Sequence, residues 1–388
     1  MHHIVAPTDT ADALLLQRRG CELGYIVQTV EQGRRADMPD AATVASCWQA
    51  GAAIMLPGLL DLQPWQAEVE QSHRLMETTL ETAEVSPLLE QQPYSDRLST
   101  HFPLVASSFE EHDEQAIEKV YFDAEVNAKG ETACVAEELW CKASWLSFIE
   151  ADASLRYRFS FGMECMEDVA ADPARQKWAG RLCDAIFPES AVITENRVII
   201  DLLKPVLGGM PAFVERIVYF NAPNGGAQMH HDVERGHDGV VYGQISGSTF
   251  WLALGKQILM DELIRFVGDK HNCHEIERLL PDTDARKQLH ALMTDRCALS
   301  AYMDEFDHEL VEAIMDRSAS FTGQLVKHGY GFLLTPGDVL LMPQRDLERC
   351  VWHSVIALDD EPGEALSFAV RKHNAQKANI EESQIEKP

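Results

Sequence analysis

The sequence predicts an α+β protein: a mixed, mainly helical N-terminal region, then a β-sandwich or barrel interrupted by a helical insertion. Three observations predict it. From residue 213 onward, short apolar runs of strand length alternate with turn residues, as in sandwiches and barrels rather than doubly wound sheets. Into that β series is spliced a segment, 258–318, whose apolar residues recur at helical spacing. The chain has 388 residues, 46% apolar and 24% charged, which at ~150 residues per domain is enough for two or three lobes around a sizeable core.

The elements follow in order. Residues 1–110 hold a short apolar run, Tyr25-Ile26-Val27, an alanine-rich stretch through Ala53, and a helical pattern over about 65–81. Residues 111–212 read as an α/β region packing on the barrel. They contain a strand at 120–126, a helix over about 136–150, a strand at 155–161, and a helix that starts at Asp172-Pro173 and ends near 186, before Pro188. The strand at 155–161 places Leu155, Tyr157, Phe159 and Phe161 on one face and Arg156 and Arg158 on the other. In so acidic a chain, two such arginines offer either a grip for an anionic group or a salt-bridged, solvated face.

Residues 213–375 carry strands at 213–220, 227–232, 240–245, 249–254, 331–335, 339–342, 351–356 and 365–371, with a dense turn at 221–226. Inside the insertion, Leu259/Leu263/Val267 and Phe306/Leu310/Ile314 repeat at i, i+4, i+8, which gives amphipathic helices suited to a lid over the barrel mouth, a contact in a homodimer, or simple padding. The tail at 376–388 is polar.

Charge narrows the partners. Sixty-two acidic against 33 basic side chains leave −29, a field that repels polyphosphate and anionic membrane surfaces, so nucleic acid and membrane are excluded as expected partners. No run approaches the ~20 apolar residues of a membrane helix, and the first thirty residues lack a signal-peptide pattern. With nine scattered cysteines, this reads as a cytoplasmic protein with reduced thiols. The one Cys/His cluster, His271-Asn272-Cys273-His274, lacks the second ligand pair of a zinc site.

The chemistry concentrates in His230-His231-Asp232 and the distant His353. Alternate residues of a strand share a face, so His230 and Asp232 point together and His231 points away. If the strand bearing His353 closes onto the same point, two imidazoles and one carboxylate occupy one side of a metal ion. That set is diagnostic of mononuclear non-haem Fe(II) oxygenases, although the ligand types also suit Zn, Mn or Ni. Leu334-Thr335-Pro336-Gly337-Asp338-Val339 forms a tight turn between two apolar strands and leads, through Pro343, into Val351-Trp352-His353-Ser354-Val355.

These motifs resemble the cupin-like, JmjC-related branch of the Fe(II)/2-oxoglutarate oxygenases, over about 214–256 and 330–371. The resemblance implies a double-stranded β-helix (cupin or jelly-roll) core and a metal site of His230, Asp232 and His353. It further implies Fe(II) as cofactor and 2-oxoglutarate as co-substrate, decarboxylated to succinate. Many members carry a lysine for the far carboxylate of 2-oxoglutarate at the position that is Thr249 here. The resemblance to oxygenases outside that branch points to Arg371, on the strand after the second histidine, as the replacement cation, with Thr249 able to add a hydroxyl hydrogen bond. Because Asp232 is present, hydroxylation or a related oxidation is implied rather than halogenation.

The expected activity is therefore a dioxygenase that hydroxylates a C–H bond of a small molecule, amino acid or peptidyl side chain. An Fe(II) oxidase that does not use 2-oxoglutarate and a non-catalytic metal-binding barrel stand as alternatives.

Overall fold

A computed structural model describes residues 11–18, 21–28, 37–109, 116–128, 131–146, 156–164, 173–222, 225–233, 236–305, 307–359 and 361–373. The polar tail at 376–388, Leu155, Asp172 and Phe306 lie outside the described residues. A hairpin of β1 (Ala11–Arg18) and β2 (Cys21–Gln28) forms a two-stranded sheet of its own, with β2 lying against the helix Ala319–Lys327, beside two antiparallel sheets. The strands of those sheets are β3 (Ile54–Leu56), β4 (Leu104–Ser108), β5 (Ala116–Ala128), β6 (Glu131–Leu146), β7 (Arg156–Met163), β8 (Pro211–Asn221), β9 (Gly226–His230), β10 (Gly239–Gln244), β11 (Thr249–Gly255), β12 (Gly331–Leu334), β13 (Val339–Pro343), β14 (Val351–Ala357) and β15 (Gly363–Lys372).

The larger sheet has nine strands in the order β3-β13-β10-β15-β8-β7-β6-β5-β4, and the smaller has four in the order β12-β11-β14-β9. The segment before residue 110 thus supplies both edge strands of the larger sheet, β3 and β4. Between the sheets lies an apolar layer that includes Val240, Tyr242, Leu340 and Met342 from the larger and Trp251, Ala253, Phe332 and Val355 from the smaller. The opposite face of the larger sheet, with Phe159, Val218, Phe220, Phe368 and Val370, is covered by Leu182 and Ile186 of the helix Pro173–Ile186 and by Ile199 and Leu203 of the helix Arg197–Leu207. Tyr157, Phe159 and Phe161 fall on this helix-covered face. The polar face of β7 is therefore the one turned toward the smaller sheet.

The turn at Pro336-Gly337-Asp338 is held by its own side chains. Asp338, fully buried, accepts from the Thr335 amide at 2.7 Å with one oxygen and from the Gly58 amide at 2.7 Å with the other. Gly337 sits at φ +96°, where a side chain would be strained.

Two expectations are corrected. Residues 136–146 are not helical: they belong to β6, which pairs with β5 and β7, and 147–150 lie outside the described residues. Alanine, glutamate and leucine favour helices intrinsically, and the burial of Ala136 and Leu139, three apart, mimics a helical stripe. The cause is an irregularity in β6. Glu138 adopts φ +55° where the pairing with β5 slips, and beyond it Leu139, Cys141 and Ala143 return to the two-residue period of a buried strand.

The insertion, whose helices run from Lys256 to Lys327, does not cover the space between the sheets. Its buried residues, among them Leu259, Leu263, Val267, Ile314 and Phe321, pack on the outer face of the smaller sheet against Met229, Phe250, Leu252 and Trp352. No helix among the described residues is long and apolar enough to cross a membrane.

Candidate metal centre

His230 ends β9, Asp232 follows in the loop, and His353 lies in the middle of β14 directly opposite His230 in the strand pairing. Gly226 makes that pairing possible, because a Cβ there would run into the Val355 carbonyl of β14. The pairing slips between His353 and Val355, a bulge that re-aims the local side chains.

The Nε2 atoms of His230 and His353 stand 3.5 and 3.4 Å from separate oxygens of Asp232, and the two imidazole centroids are 4.3 Å apart. One donor atom from each residue falls within a 4.8 Å circle. Donors about 2.1 Å from one metal ion sit roughly 3.0–3.4 Å from one another, so each His–Asp232 distance is close to the spacing that a shared ion would set. The His230 Nδ1–H can donate to the Gln228 carbonyl at 2.7 Å, which fixes the tautomer that leaves the Nε2 lone pair toward Asp232. Behind His353 the indole of Trp251 is stacked at 5.3 Å and 24°. Two imidazoles and a carboxylate on one side of a point suit a divalent first-row metal with open positions on the other.

His231 points the other way, edge-on to Trp352 at 5.1 Å; burial lowers its pKa. His271 is largely exposed and bonds Asp269, and the Cys/His cluster contributes nothing to the one metal-competent group among the described residues.

The triad borders a cavity of about 270 Å³ between the sheets. Its lining includes Tyr219, Tyr242, Trp251 and Ser367, and its charged or strongly polar side chains beyond the triad are Arg158, Glu215, Asn221 and His237. His237 has a pKa lowered by burial first and then by the nearby Arg371 charge. Neither Arg371 nor Thr249 is among the lining residues. Ser367 and Ala369 do line the cavity, as strand parity requires, but the β15–β8 pairing slips just after Ala369, and Arg371 donates to Gln176 on the helix Pro173–Ile186 at 3.3 Å. Thr249 is fully buried; its hydroxyl donates to Gln244 at 2.7 Å and accepts from Trp251 at 2.9 Å.

The cation that does line the cavity is Arg158. The alternation of β7 signals it, but only the packing of β7 beside β8 shows which face meets the cavity. Glu215, His237 and Trp251 gave no signal of their own, since each becomes a lining residue only through sheet pairing.

No family model and no curated protein matches the sequence. Among solved structures, the chain is similar to an oxidoreductase of the 2OG-Fe(II) oxygenase family from Burkholderia pseudomallei, at 10% identity and TM-score 0.31 over 89% of this chain and 97% of the other. It is also similar to SnoN, a non-haem alpha-ketoglutarate-dependent epimerase of nogalamycin biosynthesis, at 13% identity and TM-score 0.34, covering 86% and 83%. A third similar structure is YcfD, a ribosomal oxygenase from Escherichia coli, at 13% identity and TM-score 0.24; 70% of this chain spans 44% of that one. At such distances, function rests on the cavity itself.

Proposed function

We propose that the protein is a mononuclear non-haem Fe(II) oxygenase on a double-stranded β-helix, using 2-oxoglutarate to hydroxylate a C–H bond of a small molecule, amino acid or peptidyl side chain. The observation that carries this reading is the convergence of His230, Asp232 and His353 on one point at the edge of a cavity. When bound, Fe(II) would couple O2 to the 2-oxo acid, giving succinate, CO2 and one oxygen atom in the substrate.

The chain's own contributions are geometric and electrostatic. His230 and His353 present neutral nitrogens, and Asp232 supplies one negative charge that offsets part of the metal's. Trp251 and Tyr242 wall the site with aromatic surface, which excludes water from the reacting carbon. The cavity volume admits a small co-substrate together with a side chain or small molecule, not a folded surface.

The test is anaerobic titration of Fe(II) and then 2-oxoglutarate, followed by O2. One iron per chain, a weak visible absorption on adding 2-oxoglutarate, and succinate on adding O2 are expected. Iron binding that survives both His230→Ala and His353→Ala would refute the site. Iron binding without absorption or succinate would leave the oxidase that does not use 2-oxoglutarate, or the non-catalytic barrel.

A further inference from the structure

We propose that Arg158 and Asn221 form a carboxylate-binding subsite in the triad's cavity, and that the acid held there is the co-substrate gripped by its far end. The subsite stands on its own residues and rests on the oxygenase reading only for the identity of the acid.

Charge supplies the first reason. In a chain of net charge −29, a half-buried arginine lining a cavity normally finds an acid. Among the described residues, Arg158 has no carboxylate within ion-pair distance and makes one side-chain hydrogen bond, from Nε to Ser144 Oγ at 3.2 Å. It is also the one lysine or arginine side chain among the described cavity-lining residues. The bond through Nε fixes the plane of the guanidinium and leaves its outer edge for a two-pronged contact, the geometry that suits a carboxylate.

Asn221 supplies the second. It is 2% exposed, lines the same cavity, and its Oδ1 is buried without a hydrogen-bond partner. An unpaired amide in a dry place is costly unless a ligand completes it. Asn221 sits two residues after Tyr219 on β8, and Tyr219 is the direct cross-strand partner of Arg158. The guanidinium and the amide are therefore diagonal neighbours on the cavity face of one sheet. An amide can turn either its oxygen or its NH2 to a ligand, and the NH2 complements a carboxylate.

The count of charges selects the class of ligand. Beyond the triad, Arg158 is the one lining guanidinium and Glu215 already brings a carboxylate to the cavity, so a phosphate dianion would leave more buried negative charge unpaired than a single carboxylate does. Across the cavity, the triad would take the other end of the same small acid, and the volume of about 270 Å³ sets its size.

The experiment measures binding rather than turnover. Glutarate, which lacks the keto group that chelates a metal, and 2-oxoglutarate are titrated by calorimetry into the metal-free and the anaerobic Co(II)-loaded protein. Both acids should bind the metal-free wild type. Arg158→Gln should weaken each about 30-fold or more, Arg158→Lys should recover part of the loss, and Asn221→Ala should weaken binding by roughly 5-fold. Arg371→Gln should bind like wild type.

A gain on Co(II) loading for 2-oxoglutarate but not for glutarate assigns the subsite to a chelating co-substrate; no such gain overturns that assignment. Unchanged affinity in both Arg158 variants, loss in Arg371→Gln instead, or no binding of either acid by wild type overturns the subsite. Co(II) binding alone reports on the triad, so its failure would strike the oxygenase reading and not this one.

Discussion

The indole of Trp251 lies nearly parallel to the imidazole of His353, 24° between planes and 5.3 Å between centroids, and its Nε1–H is tethered to the hydroxyl of Thr249 at 2.9 Å. Thr249 in turn donates to Gln244 Oε1 at 2.7 Å. Thr249 is thus a link in a chain that ends on a candidate metal ligand.

Thr249→Val tests that chain, because it keeps the shape of the side chain and removes the hydroxyl. Trp251 Nε1–H and one contact of Gln244 would be stranded in a fully buried place, at a cost of about 1–3 kcal/mol of stability. The indole would lose its tether, and metal affinity at the triad should fall by roughly 10-fold, as for other losses of support behind a ligand. Thermal denaturation and a Co(II) titration read the two effects. Wild-type metal affinity in the variant would show that Trp251 does not orient His353.

The strand that carries His230 has a second support. β9 is an edge strand of the smaller sheet, and the Met229 amide donates to Oδ1 of the fully buried Asp316 at 2.8 Å. The helical insertion thus supplies an acceptor where a neighbouring strand would otherwise lie. Asp316→Ala should cost about 1–3 kcal/mol and raise the exchange rate of the Met229 amide, whereas Asp316→Asn, which keeps the acceptor, should cost less. Equal exchange rates in both variants would mean that the carboxylate is not the anchor.

Legibility followed the length scale of the signal. The pairing of His230 with Asp232 and the opposite aim of His231 were readable from the two-residue alternation of an extended chain, which carries on past the end of β9 at His230. The turn at Gly337 and Asp338 was readable because its side chains hold it. What a single strand cannot report is which of its faces meets the cavity: the arginine of β7 was visible, but its use depends on the Arg158–Tyr219 pairing across β8. The irregular conformation at Glu138 likewise disguised β6 as a helix. The seating of the insertion on the outer face of the smaller sheet is decided by long-range packing through residues such as Trp352 and Leu259, which helical periodicity does not encode.

The Cys/His cluster gives a control. His271 is occupied by Asp269 at 2.7 Å, and Cys273 is exposed at the start of a short helix. Cys273→Ser combined with His274→Ala should leave bound metal per chain unchanged, measured by elemental analysis. Loss of metal in that variant would locate a second site in the insertion.

The last prediction concerns pH. Glu189 and Glu364 are both fully buried and act on one another. Burial pushes Glu189 up to about 7, and burial together with the Glu189 charge pushes Glu364 well above the ordinary carboxylate range. The Glu364 Oε2 accepts from Ser72 Oγ at 2.6 Å, and His73 Nε2 is 3.7 Å from that oxygen. A carboxyl with a raised folded pKa holds a proton that the unfolded chain releases above about 4.5. Its stabilisation is complete below that pH and is lost as pH rises through the folded value. The pair should therefore lower stability between about pH 5 and 8, by at most ~1.4 kcal/mol per pH unit for each proton retained. His73 works in the opposite direction, since burial lowers its pKa and its contribution falls as pH drops, so the comparison must be between proteins rather than along one curve. Glu364→Gln keeps the hydrogen-bonding shape without a titrating proton, and its Tm should fall less than that of wild type between pH 5 and 8. Parallel curves for the two proteins would mean that the pair does not hold its proton in the folded state.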